Sequence, residues 1–78
     1  MSKVVIYTTP TCVYCKMAKE FFHNNNVQYE EKNVAEDAQA REEMIQKSGQ
    51  LGVPVIEIDG KFVVGFEESK LKESLGIK

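Results

Sequence analysis

The two cysteines of this 78-residue chain, Cys12 and Cys15, are separated by two residues in the sequence Cys-Val-Tyr-Cys. A disulfide that closes so short a loop would stabilise the fold by only about 2 kcal/mol, so the pair is poorly suited to a structural bridge. A structural zinc site needs four nitrogen or sulfur ligands, and the chain offers only one histidine, His23, beside the two thiols. The pair is therefore predicted to be a redox-active dithiol, with two inert core cysteines as the alternative.

Cys12 stands where the first helix is predicted to begin, after a short apolar run at residues 4–7 and a turn cluster at residues 8–11. The free N–H groups and the positive end of the helix dipole both favour a thiolate at such a position. Cysteines in such settings have pKa values of about 3.5–7.5, against about 8.5 for a free thiol. Because the thiolate attacks disulfides, Cys12 is predicted to be the nucleophile and Cys15, shielded in the first helical turn, the resolving thiol.

The elements that position this dithiol follow from hydrophobic periodicity and turn signals. Apolar runs and alternation predict strands at residues 4–7, 27–34, 53–58 and 61–64. Helical spacing predicts helices from Cys12 to the Asn24-Asn25-Asn26 run, over residues 35–48, and after Gly65-Phe66.

Two turn signals support this division. Gly49 is the expected end of the second helix, and Asp59-Gly60 is a two-residue hairpin signal between the last two strands. The order β-α-β-α-β-β-α predicts an α/β fold with a four-stranded mixed sheet and helices on both faces. Residues 1–78 are expected to form a single domain.

Composition and charge exclude several function classes. The formal net charge is −2, which gives no basic surface for nucleic acid. The apolar runs are only a few residues long, far short of the ~20 that span a bilayer, and no signal-peptide pattern is visible. We therefore expect a cytoplasmic protein that binds neither nucleic acid nor membranes. We also expect it to be a monomer.

Three segments, in this order, resemble the active-site segments of glutaredoxins. They are Thr-Thr-Pro-Thr-Cys-Val-Tyr-Cys at residues 8–15, Gly-Val-Pro at residues 52–54 and Val-Gly-Phe-Glu at residues 64–67. The resemblance covers essentially the whole chain. It implies a minimal thioredoxin fold, thiol–disulfide exchange, glutathione as a co-substrate and no tightly bound cofactor.

The resemblance also implies roles for residues around the dithiol. Pro54 matches the cis-proline of the family, and a cis Val53-Pro54 bond would present the Val53 backbone to the peptide-like part of glutathione. The alternative is a trans proline that opens an edge strand. Tyr14 matches an exposed tyrosine of the glutaredoxin dithiol that flanks the substrate sulfur, or is a surface ring without a role.

Four further residues match the positions that hold the two ends of glutathione. Gly65, Phe66 and Glu67 match the segment for the γ-glutamyl end, where the N–H groups of Phe66 and Glu67 at a helix start would bind a carboxylate. Arg41 matches a polar or basic position near the glycine carboxylate, which a guanidinium can bind with two hydrogen bonds. The alternatives are an ordinary acid in a first helical turn for Glu67, a core ring for Phe66 and a solvated arginine for Arg41.

Departures from the glutaredoxin pattern leave other readings open. Val13 stands where most glutaredoxins with two active-site cysteines have a proline. Thr9 stands where many have a lysine that helps to bind glutathione, and Gly52 stands where they usually have a threonine. A non-proline dithiol and a Gly-Phe after the last strand also resemble the redoxins that take electrons from thioredoxin reductase and supply ribonucleotide reductase. The upstream flavin enzyme is thus glutathione reductase or thioredoxin reductase. A third reading is an iron–sulfur cluster carrier.

Overall fold

The structure, a computed structural model, describes residues 3–76 and contains seven elements in the predicted order. They are β1 (Val4–Thr8), α1 (Val13–Asn24), β2 (Glu30–Asn33), α2 (Ala38–Ser48), β3 (Val55–Ile58), β4 (Lys61–Val64) and α3 (Glu68–Leu75). The strand order is β2-β1-β3-β4; β1 and β2 are parallel, and the other two pairs are antiparallel. The predicted mixed sheet is confirmed. Residues 1–2 and 77–78, the ends of the predicted domain, lie outside the described residues.

Alternate residues of β1 point to opposite faces of the sheet, and each face has its own apolar core. On one face, which we call the α1 side, Val4 and Ile6 pack with residues of α1 and α3, among them Phe22 and Leu71. On the other, the α2 side, Val5 and Tyr7 pack with Met44 and its neighbours in α2. The prediction of helices on both faces is therefore confirmed.

Local hydrogen bonds explain where α2 begins and ends. The helix starts at Ala38 rather than at the predicted residue 35, because Asp37 is its N-cap and accepts a hydrogen bond from the Ala40 N–H at 3.1 Å. Its end at Gly49 is confirmed; this residue has φ 72°, a left-handed conformation that glycine adopts without strain.

The second and third strands are shorter than predicted. Asn26 has φ 56°, and the Val27 N–H donates to the Phe22 carbonyl at 2.8 Å, so the chain after α1 stays attached to the helix end. Pairing with β1 starts only at Glu30. The β3 strand begins at Val55 instead of residue 53. The Asp59-Gly60 hairpin turn is confirmed, with positive φ at both residues.

None of the helices within residues 3–76 is long and apolar enough to cross a membrane.

Candidate active site

Three loop segments meet at one end of the sheet. The parallel strands β1 and β2 both end there, at Thr8 and Asn33, which are partners in the ladder. Tyr7 pairs with Val55 at the start of β3, and Val55 pairs with Val64 at the end of β4. The register therefore brings the segment that leads to Cys12, the Val53–Pro54 segment and the Gly65–Glu67 segment to the same end. These are the three segments that the sequence singled out.

Cys12 is the N-cap residue of α1. Its φ and ψ of −85° and 112° are extended, and its carbonyl accepts the first helical hydrogen bond, from the Lys16 N–H at 3.2 Å. Its Sγ accepts a hydrogen bond from the Cys15 N–H at 3.1 Å, so sulfur takes the place that oxygen has in a serine cap. A backbone donor and the positive end of a helix both face this sulfur, and both stabilise negative charge on it.

Cys15 differs from Cys12 in exposure and in acidity. Both thiols are free, but Cys12 is half-buried, whereas Cys15 is only 1% exposed. Burial raises the pKa of the Cys15 thiol to about 12, and its hydrogen bond and charge interaction with Cys12 act in the same direction. At neutral pH the buried thiol is therefore protonated. An accessible sulfur that accepts one backbone N–H, with a protonated thiol next to it, is an arrangement that suits two-step exchange.

The Val53–Pro54 peptide bond is cis, as the resemblance implies. Pro54 is buried, and Val53 is half-buried against the α2-side core. The Pro54 carbonyl accepts a hydrogen bond from the Gly65 N–H at 2.8 Å, which ties the second segment to the third. Val53 precedes the first residue of β3 that pairs with β1, Val55.

The third segment leads into α3 as expected. Glu67 is the N-cap of this helix, and Glu68 is its first helical residue. The Phe66 ring packs on Phe21, with centroids 6.1 Å apart, and Gly65 turns the chain with φ 78°. Binding of a carboxylate by the N–H groups of Phe66 and Glu67 stays a prediction. The Glu67 carboxylate forms an exposed ion pair with Lys70 at 3.3 Å.

Tyr14 and Arg41 are both exposed. Tyr14, in the first turn of α1, is 61% exposed close to Cys12. Arg41 lies in the first turn of α2, on the opposite face of the sheet from α1. Two apolar side chains in the chain segments near the dithiol and Val53 are exposed as well: Val13 is 69% and Leu51 is 70% exposed.

Sequence reasoning missed one group of charged residues beside the dithiol. Lys19, four residues after Cys15 in α1, forms an ion pair with Glu31 of β2 at 2.9 Å. Thr8, the last residue of β1, donates its hydroxyl to the same carboxylate oxygen at 2.7 Å. The spacing of Lys19 from Cys15 is visible in the sequence, but its pairing with Glu31 depends on the strand register. Among residues 3–76, no three or more His, Cys, Asp or Glu side chains are grouped so that they could hold a metal ion.

Comparisons with known proteins agree with this geometry. A family model described as glutaredoxin matches residues 4–63. The chain is 47% identical over 68 residues to an "uncharacterized glutaredoxin-like 8.6 kDa protein in rubredoxin operon" of Clostridium pasteurianum, with 87% of this chain and 91% of the relative covered. It is 40% identical over 68 residues to glutaredoxin 3 of Escherichia coli K12, with 87% and 82% covered.

A similar solved structure is that of a mutant of the thioredoxin-like protein BC3987. It superimposes with a TM-score of 0.93 at 40% identity, and all of both chains is covered. Fold and relatives together support a thiol–disulfide redox function for the adjacent cysteines. The chain belongs to the glutaredoxin family, within the thioredoxin superfamily.

Proposed function

We propose that this protein is a thiol–disulfide oxidoreductase in which Cys12 attacks the substrate and Cys15 resolves the intermediate. The observation that carries the proposal is the asymmetry of the two thiols. The Cys12 sulfur caps α1 and accepts the Cys15 N–H at 3.1 Å, whereas Cys15 is 1% exposed and its pKa is raised to about 12. Only the first sulfur is both reachable by a substrate and supported as an anion.

The reaction then has two exchange steps. The Cys12 thiolate attacks one sulfur of the substrate disulfide; a mixed disulfide forms at Cys12, and the other substrate sulfur leaves with the bonding electron pair and takes up a proton. Cys15 next loses its proton and attacks the Cys12 sulfur, which forms the Cys12–Cys15 disulfide and releases the second substrate thiol. The substrate gains two electrons, and the dithiol loses them until a reductant restores it.

We further propose that the substrates are protein disulfides or glutathione mixed disulfides, with glutathione as co-substrate and reductant. In support, the Val53 backbone lies before the paired part of β3, where an extended peptide can add as a further strand. In this proposal Tyr14 flanks the substrate sulfur, and Arg41 binds the glycine carboxylate of glutathione. Pro54 and Gly65, which are hydrogen-bonded to each other, support the Val53 backbone.

One observation favours a second candidate, a redoxin that takes electrons from thioredoxin reductase. The Glu67 carboxylate, in the segment proposed to hold the γ-glutamyl end of glutathione, is already paired with Lys70 at 3.3 Å. This ion pair leaves one charged group fewer for glutathione. It bears only on the choice of reductant, not on the exchange chemistry.

The proposed cellular setting follows from the chemistry. Free thiols persist in a reducing compartment such as the cytoplasm, where glutathione and thioredoxin systems keep them reduced. All three site segments come from one chain, so a monomer is sufficient for the reaction.

A coupled assay tests the function and separates the two reductants. A protein disulfide substrate is added to catalytic amounts of this protein, and NADPH oxidation is followed with glutathione plus glutathione reductase, or with thioredoxin reductase alone. We expect turnover with the glutathione system; turnover only with thioredoxin reductase would select the second candidate. Absence of turnover in both systems would refute both.

Two cysteine variants are the matched controls. Cys12→Ser removes the attacking sulfur, so turnover should fall at least about a thousandfold with either reductant. Cys15→Ser leaves the first step intact, and a mixed disulfide at Cys12 should accumulate when a disulfide is added. A Cys12→Ser protein with normal turnover would contradict the assigned roles.

A further inference from the structure

Lys19 lies one helical turn beyond the buried thiol of Cys15. Both residues belong to α1, four positions apart, so their Cβ atoms are about 5–6 Å from each other on the same side of the helix. The two side chains are therefore neighbours on α1, and the charge of each group shifts the pKa of the other. No step of the proposed function has yet used this residue.

The position of Lys19 is fixed by two neighbouring strands. Its Nζ contacts Glu31 Oε2 at 2.9 Å, and the two side chains are 33% and 38% exposed. The Thr8 hydroxyl donates to the same oxygen at 2.7 Å, and Thr8 is only 1% exposed. A carboxylate held from β1 and β2 thus holds the ammonium beside α1. These hydrogen bonds lower the pKa of Glu31 and raise that of Lys19, so both stay charged at neutral pH.

A positive charge at this place assists the resolving step. Cys15 must lose its proton to attack, and burial opposes that ionisation. The hydrogen bond and the charge of Cys12 oppose it as well, but both are removed once Cys12 is part of a mixed disulfide. A hydrogen bond from the Thr9 backbone and the charge of Lys19 remain, and both favour the Cys15 thiolate. The groups that act on Lys19 from outside α1 are Glu31 and Tyr29.

We propose that Lys19, anchored by Glu31 and Thr8, is a positioning residue for the second exchange step, in which its charge favours the attacking form of Cys15. The inference rests on the proposed function. In the step, Cys15 gives its proton to water and its sulfur bonds to Cys12 Sγ. The bond from Cys12 to the substrate breaks, and the departing thiolate takes the electron pair and a proton from water. Lys19 neither bonds to the substrate nor transfers the proton.

A single-turnover reaction with Ellman's reagent separates the two steps. Attack by Cys12 on this disulfide releases one equivalent of thionitrobenzoate, and resolution by Cys15 releases the second. We expect Lys19→Met to slow the second release about three- to tenfold at neutral pH and to displace its rate–pH profile to higher pH. The first release should change by less than about twofold. Lys19→Arg, which keeps the charge, should restore most of the second rate.

Lys47→Met is the matched control. Lys47 also pairs with glutamates, Glu43 at 3.4 Å and Glu57 at 4.0 Å, but it lies in α2 on the other side of the sheet. The substitution removes the same charge, so a general loss of attraction for the anionic reagent would appear in both variants. Urea unfolding of each variant establishes that it is folded.

The possible outcomes are distinct. Equal second-release rates for the two methionine variants, or an arginine variant as slow as Lys19→Met, would overturn the role of Lys19 and leave the proposed function intact. A wild-type protein without a first release would refute the proposed function. A first release without a second would refute both the resolving role of Cys15 and the role of Lys19.

Discussion

Each face of the sheet carries a hydroxyl group, a carboxylate and a lysine that bind one another, but the two groups have different neighbours. Tyr7 and Thr8 are consecutive in β1 and point to opposite faces. Each donates its hydroxyl to a carboxylate, Tyr7 to Glu43 at 2.8 Å and Thr8 to Glu31 at 2.7 Å. Each carboxylate also binds a lysine from a neighbouring element.

On the α2 side these side chains only link secondary-structure elements to one another. Glu43 accepts hydrogen bonds from Tyr7, from Lys32 of β2 at 3.0 Å and from Lys47 of its own helix at 3.4 Å. Lys32 also lies over the Tyr7 ring, 5.7 Å from its centroid. Burial and the bond to Glu43 raise the pKa of the Tyr7 hydroxyl, so it remains a donor.

On the α1 side the same arrangement lies next to a thiol. Lys19 is bound to one carboxylate and is one turn from Cys15. The comparison indicates that an ion pair at the edge of a small sheet is structural by default. In our proposal it gains a chemical role only where it lies next to a thiol that must ionise during the reaction, as Cys15 must and the Tyr7 hydroxyl need not.

The largest expected effect tests whether the α2 side is only structural. Met44 is completely buried in the α2-side core, so Met44→Ala should lower the free energy of unfolding by about 2–5 kcal/mol. Under conditions in which the variant is folded, both thionitrobenzoate releases should keep their wild-type rates. Met17→Ala is the control, since Met17 is 41% exposed, and it should cost less than about 0.5 kcal/mol in urea unfolding. Equal losses for the two variants would contradict the assigned core.

The second prediction compares the hydroxyl groups of Tyr7 and Thr8. Tyr7→Phe and Thr8→Val each remove one hydrogen bond to a carboxylate while they keep most of the buried volume. Each should lower the free energy of unfolding by about 0.5–1.5 kcal/mol. Only Thr8→Val should also slow the second thionitrobenzoate release, because only Thr8 helps to anchor Lys19. A slower second release in Tyr7→Phe but not in Thr8→Val would show that the α2 side, and not the α1 side, assists the second exchange step.

The smallest expected effect is on the free energy of unfolding at acidic pH. Hydrogen bonds from Lys32, Tyr7 and Lys47 lower the pKa of Glu43 from 4.5 to about 2. Because the folded-state pKa is depressed, this stabilisation is fully present above about pH 4.5 and is lost as the pH falls toward 2. Glu43→Gln should therefore flatten the fall in unfolding free energy over that range, as measured by urea titrations at several pH values.

The corresponding variant on the α1 side is Glu31→Gln. The pKa of Glu31 is lowered as well, by Thr8 and Lys19, but with two donors instead of three. Glu31→Gln should flatten the acid profile less than Glu43→Gln. A larger effect of Glu31→Gln would reverse the proposed ranking of the two faces in stability.

Much of the fold could be predicted because its signals are local. The apolar run of residues 4–7, the Asp59-Gly60 turn and Gly49 each determine the nearby backbone through their own chemistry. The first turn of α1 could be placed for the same reason, and with it Cys12 and Cys15.

The errors come from contacts that the sequence does not display. The hydrogen bond from the Val27 N–H to the Phe22 carbonyl shortens β2. The Lys19–Glu31 pair depends on the register in which Glu31 lies beside Ile6 of β1. Such long-range pairings are set by the packed sheet and not by any motif.

The central claim is that Cys12 is the reactive thiol and Cys15 the protected one. Timed alkylation of the reduced protein at neutral pH tests it, with the modified cysteine identified by peptide mass spectrometry. The half-buried Cys12 should be modified first. Cys15, which is 1% exposed and whose pKa is raised to about 12, should remain unmodified while the protein is folded. Modification of Cys15 at the same rate as Cys12, or before it, would contradict the account.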